Sequence, residues 1–168
     1  ISTMGRSGNK VYIYVEGLGG SPTVHFGTVS ATVTSATSNK IETSVPTNAV
    51  PGDNIITVTK NGTTSNGFTY NVLSGDQNQI IFHVTASTNY GENIYVVGNI
   101  PELGSWNTNK CTEAMLNPNY PQWFLPVSVP MNTSIQFKFI KKDASGNVIW
   151  ESSPNRIITS SSSSTGVV

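Results

Sequence analysis

The chain has 168 residues, with nine Lys and Arg balanced by nine Asp and Glu, and charged residues make up only 11% of it, against roughly 25% in an average soluble domain. Its polarity comes instead from 21 Ser, 20 Thr and 18 Asn. This balance gives no basic footprint for a nucleic-acid backbone, no apolar run near the ~18 residues of a membrane helix and no basic amphipathic stretch for a membrane surface, and Cys111 alone supports neither a disulfide framework nor a cysteine metal site.

In chain order the predicted elements are short strands. Val11, Ile13 and Val15 alternate with Tyr12, Tyr14 and Glu16, the period-2 pattern of a half-buried strand. Residues 55–59 are all β-branched, and residues 79–84, 94–97, 124–129, 135–140 and 148–150 follow with similar Val, Ile and aromatic enrichment, which suits a pleated surface. Turn residues separate the runs at 19–22, 51–54, 61–62, 117–119 and 145–147. Asn61-Gly62 predicts a type I′ hairpin, whose two central residues both need φ > 0. No segment sustains a helical period. The chain is read as all-β, with two tandem antiparallel β-sandwiches.

A break is expected at Ser74-Gly75-Asp76-Gln77. It separates a first domain, 1–73, from a second, 77–168. All three tryptophans, Trp106, Trp123 and Trp150, fall after it. The serine run 160–164 reads as a loop, and residues 165–168 as the start of a last strand.

Catalytic chemistry has little support. The nine carboxylates are mostly in turns beside Gly, Asn or Pro, and no pair is singled out for glycoside hydrolysis. His25 and His83 read as strand residues with one wet face, without a serine elbow or a carboxylate cluster beside them. Gly17-Leu18-Gly19-Gly20 lacks the spacing of a phosphate loop and reads as a tight turn. No metal or cofactor is expected. A small hydrolase and a purely structural sandwich pair stay open as alternatives.

The second half carries the chemistry of sugar recognition, an aromatic face for the C–H side of a ring with a few polar groups for its hydroxyls. Trp106 lies in the turn-rich Leu103-Gly104-Ser105-Trp106-Asn107. Trp150 precedes Glu151 at a strand end. Lys138 lies between Phe137 and Phe139, so it points out if they point in. Alternation alone places Val148 and Trp150 on one face without saying whether that face is open.

The stretch Asn93-Ile94-Tyr95-Val96-Val97-Gly98-Asn99-Ile100-Pro101-Glu102-Leu103-Gly104-Ser105-Trp106, with Tyr120-Pro121-Gln122-Trp123, Ile135-Gln136-Phe137-Lys138-Phe139 and Trp150-Glu151 in order after it, resembles a family 20 carbohydrate-binding module, the starch-binding domain. Val11-Tyr12-Ile13-Tyr14-Val15-Glu16-Gly17, Val24-His25-Phe26-Gly27 and Ile41-Glu42-Thr43-Ser44-Val45-Pro46 resemble the immunoglobulin-like IPT/TIG domain that precedes this module in cyclodextrin glucanotransferases and maltogenic amylases.

The resemblance implies a non-catalytic pair of domains, extracellular and secreted, covalently linked to catalytic domains in a parent chain. It implies binding of starch, amylose, maltooligosaccharides and cyclodextrins. It places a first sugar site on Trp106, Lys138, Trp150, Glu151 and Asn155, with the indoles as platform and the polar groups on hydroxyls. It places a second on Tyr120, Asn93, Tyr90, Gly91 and Asn117. The 115–120 segment is shorter than in the glucanotransferases, which bears on Asn117. Trp123 is expected in the core or beneath Tyr120. The first domain is expected to act as a spacer.

Overall fold

The computed structural model describes residues 3–18 and 20–161, and the backbone of 166–167. Gly19 in the expected turn, residues 162–164 of the serine run, and Thr165 and Val168 lie outside the described residues. The fold is all-β. Among the described residues its helical content is one 3-10 turn, Pro101–Leu103, and no helix is long and apolar enough to cross a membrane. The chain divides into two compact units, Ile1–Asp76 and Gln77–Val168.

The first unit contains β1 (Met4–Gly5), β2 (Lys10–Tyr14), β3 (Thr23–Phe26), β4 (Val29–Ala31), β5 (Val33–Ala36), β6 (Lys40–Ser44), β7 (Gly52–Lys60), β8 (Thr63–Thr64) and β9 (Phe68–Val72). One sheet runs β1-β9-β7-β3-β4 with β8 on β7, and the other β2-β6-β5. Strand β2 buries Val11 and Ile13 and exposes Tyr12 and Tyr14, the alternation that its sequence dictates. These side chains pack with Val24, Phe26, Ile41 and Tyr70 in one core. The β7–β8 turn has Asn61 at φ 49 and Gly62 at φ 79. Both central residues are left-handed, as a type I′ turn demands.

The second unit contains β10 (Gln77–Thr85), β11 (Asn93–Gly98), β12 (Leu116–Asn119), β13 (Gln122–Pro130), β14 (Ser134–Lys142), β15 (Val148–Trp150), β16 (Arg156–Thr159) and β17 (Gly166–Val167). Its sheets are β12-β13-β10-β17 and β11-β14-β15, with β16 also on β14. Pairing is antiparallel except for β10 with β17, and β1 with β9 in the first unit.

Between these sheets Phe82, Phe137 and Phe139 stack edge to face, with centroids 4.9 and 5.7 Å apart, the geometry that ring quadrupoles favour. Trp123 is 2% exposed and donates Nε1–H to the Ala86 carbonyl at 2.9 Å, so its polar atom is satisfied inside the core. Ile135, Phe137 and Phe139 face this core. Gln136 and Lys138 therefore lie on the outer face of β14, as the alternation around Lys138 requires.

Candidate functional site

The outer face of β14 gathers residues far apart in sequence. Val97 of β11 pairs with Lys138, and Ile140 pairs with Trp150 of β15. Directly paired residues share a face, so Trp150 stands on the same side as Lys138. Val97 and Ile140 are also on this side, yet they are 0% and 1% exposed.

Trp106 is held by a tight turn beside the end of β11. The 3-10 turn over 101–103 ends at Gly104, with φ 80 and its N–H on the Pro101 carbonyl at 2.9 Å. The chain then doubles back, and Trp106 donates its own N–H to the Gly98 carbonyl at 2.7 Å. Trp106 itself has φ 64. A Cβ on Gly104 would lie 2.5 Å from the Lys110 carbonyl oxygen and 2.7 Å from the Cys111 nitrogen, so only glycine fits. Gly104→Ala is expected to cost at least about 1–2 kcal/mol and to displace Trp106. Thermal unfolding and cyclodextrin titration check both parts; an unchanged affinity would show that the turn does not aim Trp106.

Neither indole is sealed. Trp150 is 43% exposed and Trp106 is half-buried. Lys138 Nζ donates to the Glu151 carbonyl at 3.1 Å and also to the Ser153 carbonyl. An ammonium has three donors, so one remains for a ligand. Asn155 is exposed, and its Nδ2 donates to Gln136 Oε1 at 3.2 Å.

Glu151 lies differently from its neighbours. Its Oε1 accepts the Phe139 N–H at 3.2 Å, and its carboxylate takes Arg156 Nε and Nη2 at 3.1 Å. Strand β15 has just ended, so the carboxylate replaces the next carbonyl of the ladder for a backbone donor that must be satisfied. The family resemblance implied a hydroxyl ligand; in the structure the carboxylate is engaged within the protein. Lys138, too, spends two donors on the 151–153 backbone.

Of the expected second site, Tyr90, Gly91 and Asn93 lie on the 86–93 segment, and Tyr120 bonds it at Thr88. Tyr120 is 54% exposed, and its oxygen accepts the Thr88 N–H at 3.0 Å and faces the Thr88 carbonyl at 3.3 Å. The Thr88 N–H holds the phenol below the usual tyrosine range. Beneath it Trp123 meets the ring edge to face at 6.5 Å. Tyr90 is fully exposed, Gly91 has φ 85, and Asn93 is exposed at the start of β11. Asn117 is exposed in the irregular pairing between Leu116 and Asn119; no contact ties it to Tyr120.

Glu92 fastens this segment. Its carboxylate accepts the Asn89 N–H at 2.7 Å and pairs with Lys141 at 3.6 Å. The Asn89 N–H first, and Lys141 after it, hold the carboxyl below its usual value. Its stabilisation is thus complete above the unfolded value, about 4.3, and is lost as pH falls through the lower folded value. Binding that depends on Tyr120 is expected to weaken below about pH 4. Titrating a Trp106→Ala/Trp150→Ala protein with β-cyclodextrin at neutral and acid pH checks this. Equal affinities would contradict it.

Elsewhere, a groove of about 830 Å³ in the first unit is lined by Tyr12, Tyr14, Leu18, Ile56, Val58 and Phe68, among others; sequence reading gave no sign of it. Among the described residues no three His, Cys, Asp or Glu side chains converge as metal ligands.

The model of the family described as "Starch binding domain" matches residues 77–168, which is all of the second unit. The chain belongs to the starch-binding domain family. Across both units it is similar to the cyclomaltodextrin glucanotransferase of Geobacillus stearothermophilus, 45% identical over 98% of this chain and 24% of the relative. That of Paenibacillus macerans is 43% identical over 99% and 24%. Among solved structures, the γ-cyclodextrin glucanotransferase of alkalophilic Bacillus clarkii aligns over 99% of this chain and 26% of its own, with TM-score 0.54 and 41% identity. The glucoamylase of Hypocrea jecorina aligns over 55% of this chain and 16% of its own, with TM-score 0.53 and 29% identity. The chain therefore spans about a quarter of the length of the curated relatives it matches.

Within the starch-binding domain, Lys138, Trp150, Glu151 and Asn155 lie on or beside β14, and Trp106 is tied by its backbone to Gly98 at the end of β11. Arg156 and Gln136 were missed. Gln136 carried a usable signal, because it shares strand parity with Lys138. Arg156 carried none, since its partner depends on how the 151–155 loop folds back.

Proposed function

We propose that this chain binds starch and related α-1,4-glucans without catalysis, and that it holds a linked amylolytic enzyme at its substrate. What supports the reading is a partly open Trp150 on the same face of β14 as Lys138, together with a half-buried Trp106 whose backbone is tied to Gly98, next to Lys138's partner Val97. Family membership supplies the class of ligand.

Trp106 and Trp150 stack on the C–H faces of neighbouring glucose units along a curved chain. The remaining Lys138 donor and the Asn155 amide bond hydroxyls at the edge. Each ring contributes on the order of 1 kcal/mol beyond burial. A shallow site of this kind reaches about the micromolar level, roughly −8 kcal/mol. Tyr120, with Tyr90, Gly91 and Asn93 of the segment whose Thr88 it bonds, forms a second contact. Two sites on one module strengthen retention at a granule surface, where the second contact is effectively intramolecular. The first unit, read as an IPT/TIG-type sandwich, serves as a spacer. An extracellular setting follows from this role, because granular starch does not enter the bacterial cell.

Sedimentation with granular starch tests the reading. The chain is expected to pellet with the granules, to be released by β-cyclodextrin, and to generate no reducing ends from soluble starch. A chain that stays in the supernatant would overturn the binding function. Turnover abolished by a single Asp or Glu substitution would overturn its non-catalytic character.

A further inference from the structure

The two sides of β14 differ in a way that assigns separate tasks to the polar residues of the first site. On the outer side are Gln136, Lys138 and, paired with Ile140, Trp150. Gln136 is exposed, and its side-chain oxygen already meets the exposed amide of Asn155. Its backbone is fixed from both directions. The Gln136 N–H goes to Asn99 Oδ1 at 2.8 Å, and the Asn99 N–H goes to the Gln136 carbonyl at 2.9 Å. A rigid strand thus presents one free amide nitrogen at Gln136 and one side-chain oxygen at Asn155. Together they offer a donor and an acceptor, the complement of a sugar hydroxyl, which both donates and accepts.

On the other side lies Arg156. It pairs with Phe137, which is 1% exposed and faces the core. Its guanidinium stands 5.2 Å from the Phe139 ring centroid and grips the Glu151 carboxylate with two nitrogens. The Glu151 side chain is 17% exposed. The Arg156 fork and the Phe139 N–H occupy both its oxygens. Strands β15 and β16 pair with successive stretches of β14, so the 151–155 loop between them runs alongside Lys138 and Phe139. Arg156 closes the base of that loop, and Lys138 ties its backbone from the outer side.

We infer that Gln136 joins Asn155 as a hydroxyl-binding pair for the glucan, and that Arg156, with Glu151, is a positioning residue that holds the 151–155 loop and Trp150 in place from behind. Arg156 touches no sugar. The inference rests on the proposed first site and adds a division of labour within it. A planar fork matched to a carboxylate is specific in geometry as well as charge, so the loop is set before ligand arrives.

The experiment is calorimetric titration of the whole chain with β-cyclodextrin and maltoheptaose, in a Tyr120→Ala background so that only the first site is read. Gln136→Ala is expected to weaken binding about 3- to 10-fold, the loss of one hydrogen bond, with unchanged thermal unfolding. Arg156→Met is expected to weaken it to a similar degree and to shift the tryptophan emission of the free protein. Arg156→Lys, which keeps a charge on Glu151, is expected to restore part of both. Combined with Trp150→Ala, Arg156→Met is expected to add little, since it acts through that residue's placement.

Full affinity in Gln136→Ala would remove Gln136 from the site. Full affinity and unchanged emission in Arg156→Met would overturn the positioning role. Circular dichroism and the Arg156→Lys protein separate that role from a failure to fold. If Trp106→Ala/Trp150→Ala keeps full affinity in the same background, the site itself is misplaced. If that variant loses binding while Gln136→Ala and Arg156→Met do not, only this division of labour fails.

Discussion

Replacing Trp106 and Trp150 together with alanine is expected to weaken binding of soluble α-glucan at the first site by about 100-fold or more, with the fold intact. The magnitude follows from the chemistry. Each indole loses both the apolar area that the sugar would cover and its stacking contribution, about 1.5–2 kcal/mol per ring. Tenfold in affinity is about 1.4 kcal/mol. The fold should tolerate the change because Trp150 is 43% exposed and Trp106 half-buried, so neither truncation empties the core. One local response is foreseen: Ile140, paired with Trp150 and 1% exposed, becomes wetter. Isothermal calorimetry with far-ultraviolet circular dichroism checks both halves. Retention of full affinity at this site with normal dichroism would remove the indoles from the binding surface.

Trp123 is expected to behave in the opposite way. It is 2% exposed and packs within the cluster formed by Phe82, Leu125 and Phe137. Trp123→Ala is expected to destabilise the second unit by about 3–5 kcal/mol. It would also leave the Ala86 carbonyl, which accepts the indole N–H, without its partner. In a unit of this size that corresponds to a loss of roughly 15 °C or more in Tm. Trp123→Phe keeps most of the volume and should cost less.

Binding through Tyr120 should suffer even in the milder variant, because the Tyr120 ring leans edge-on against Trp123. Calorimetric unfolding of both variants checks the stability, and titration in the Trp106→Ala/Trp150→Ala background reads the second site. A Tm within a few degrees of the parent for Trp123→Ala would contradict the core assignment. The three tryptophans are therefore expected to divide into two whose removal costs affinity and one whose removal costs stability.

Much of the architecture was legible from local pattern. The exposed-to-buried alternation of β2, the Asn61-Gly62 hairpin and the outward Lys138 between Phe137 and Phe139 all follow from a period of two and from turn chemistry. The break at 74–77 coincides with the division after Asp76. A strand at Gly166–Val167 was suggested by its residues, but its parallel partner β10 was not, because long-range pairing leaves no mark on so short a segment.

The residues proposed for the site stood out in the sequence, but their contacts did not. The exposure of Trp150 depends on the register Ile140↔Trp150, a tertiary fact. Glu151 was expected to bond a hydroxyl because the family resemblance implied it. Its carboxylate instead replaces a missing ladder acceptor and holds Arg156. Alternation already sends consecutive strand residues to opposite faces, and that rule favoured such an outcome for Trp150 and Glu151. The contact between Tyr120 and Thr88 spans 32 residues and has no local signature.

The central claim is that bound glucan covers the open faces of Trp106 and Trp150. Acrylamide quenching of tryptophan fluorescence, with and without saturating β-cyclodextrin, reads this directly. The expected result is that quencher reaches two indoles in the free chain and that ligand shields them, while Trp123 stays unquenched throughout. Ligand that binds with full affinity yet leaves both indoles as accessible to quencher as before would contradict it.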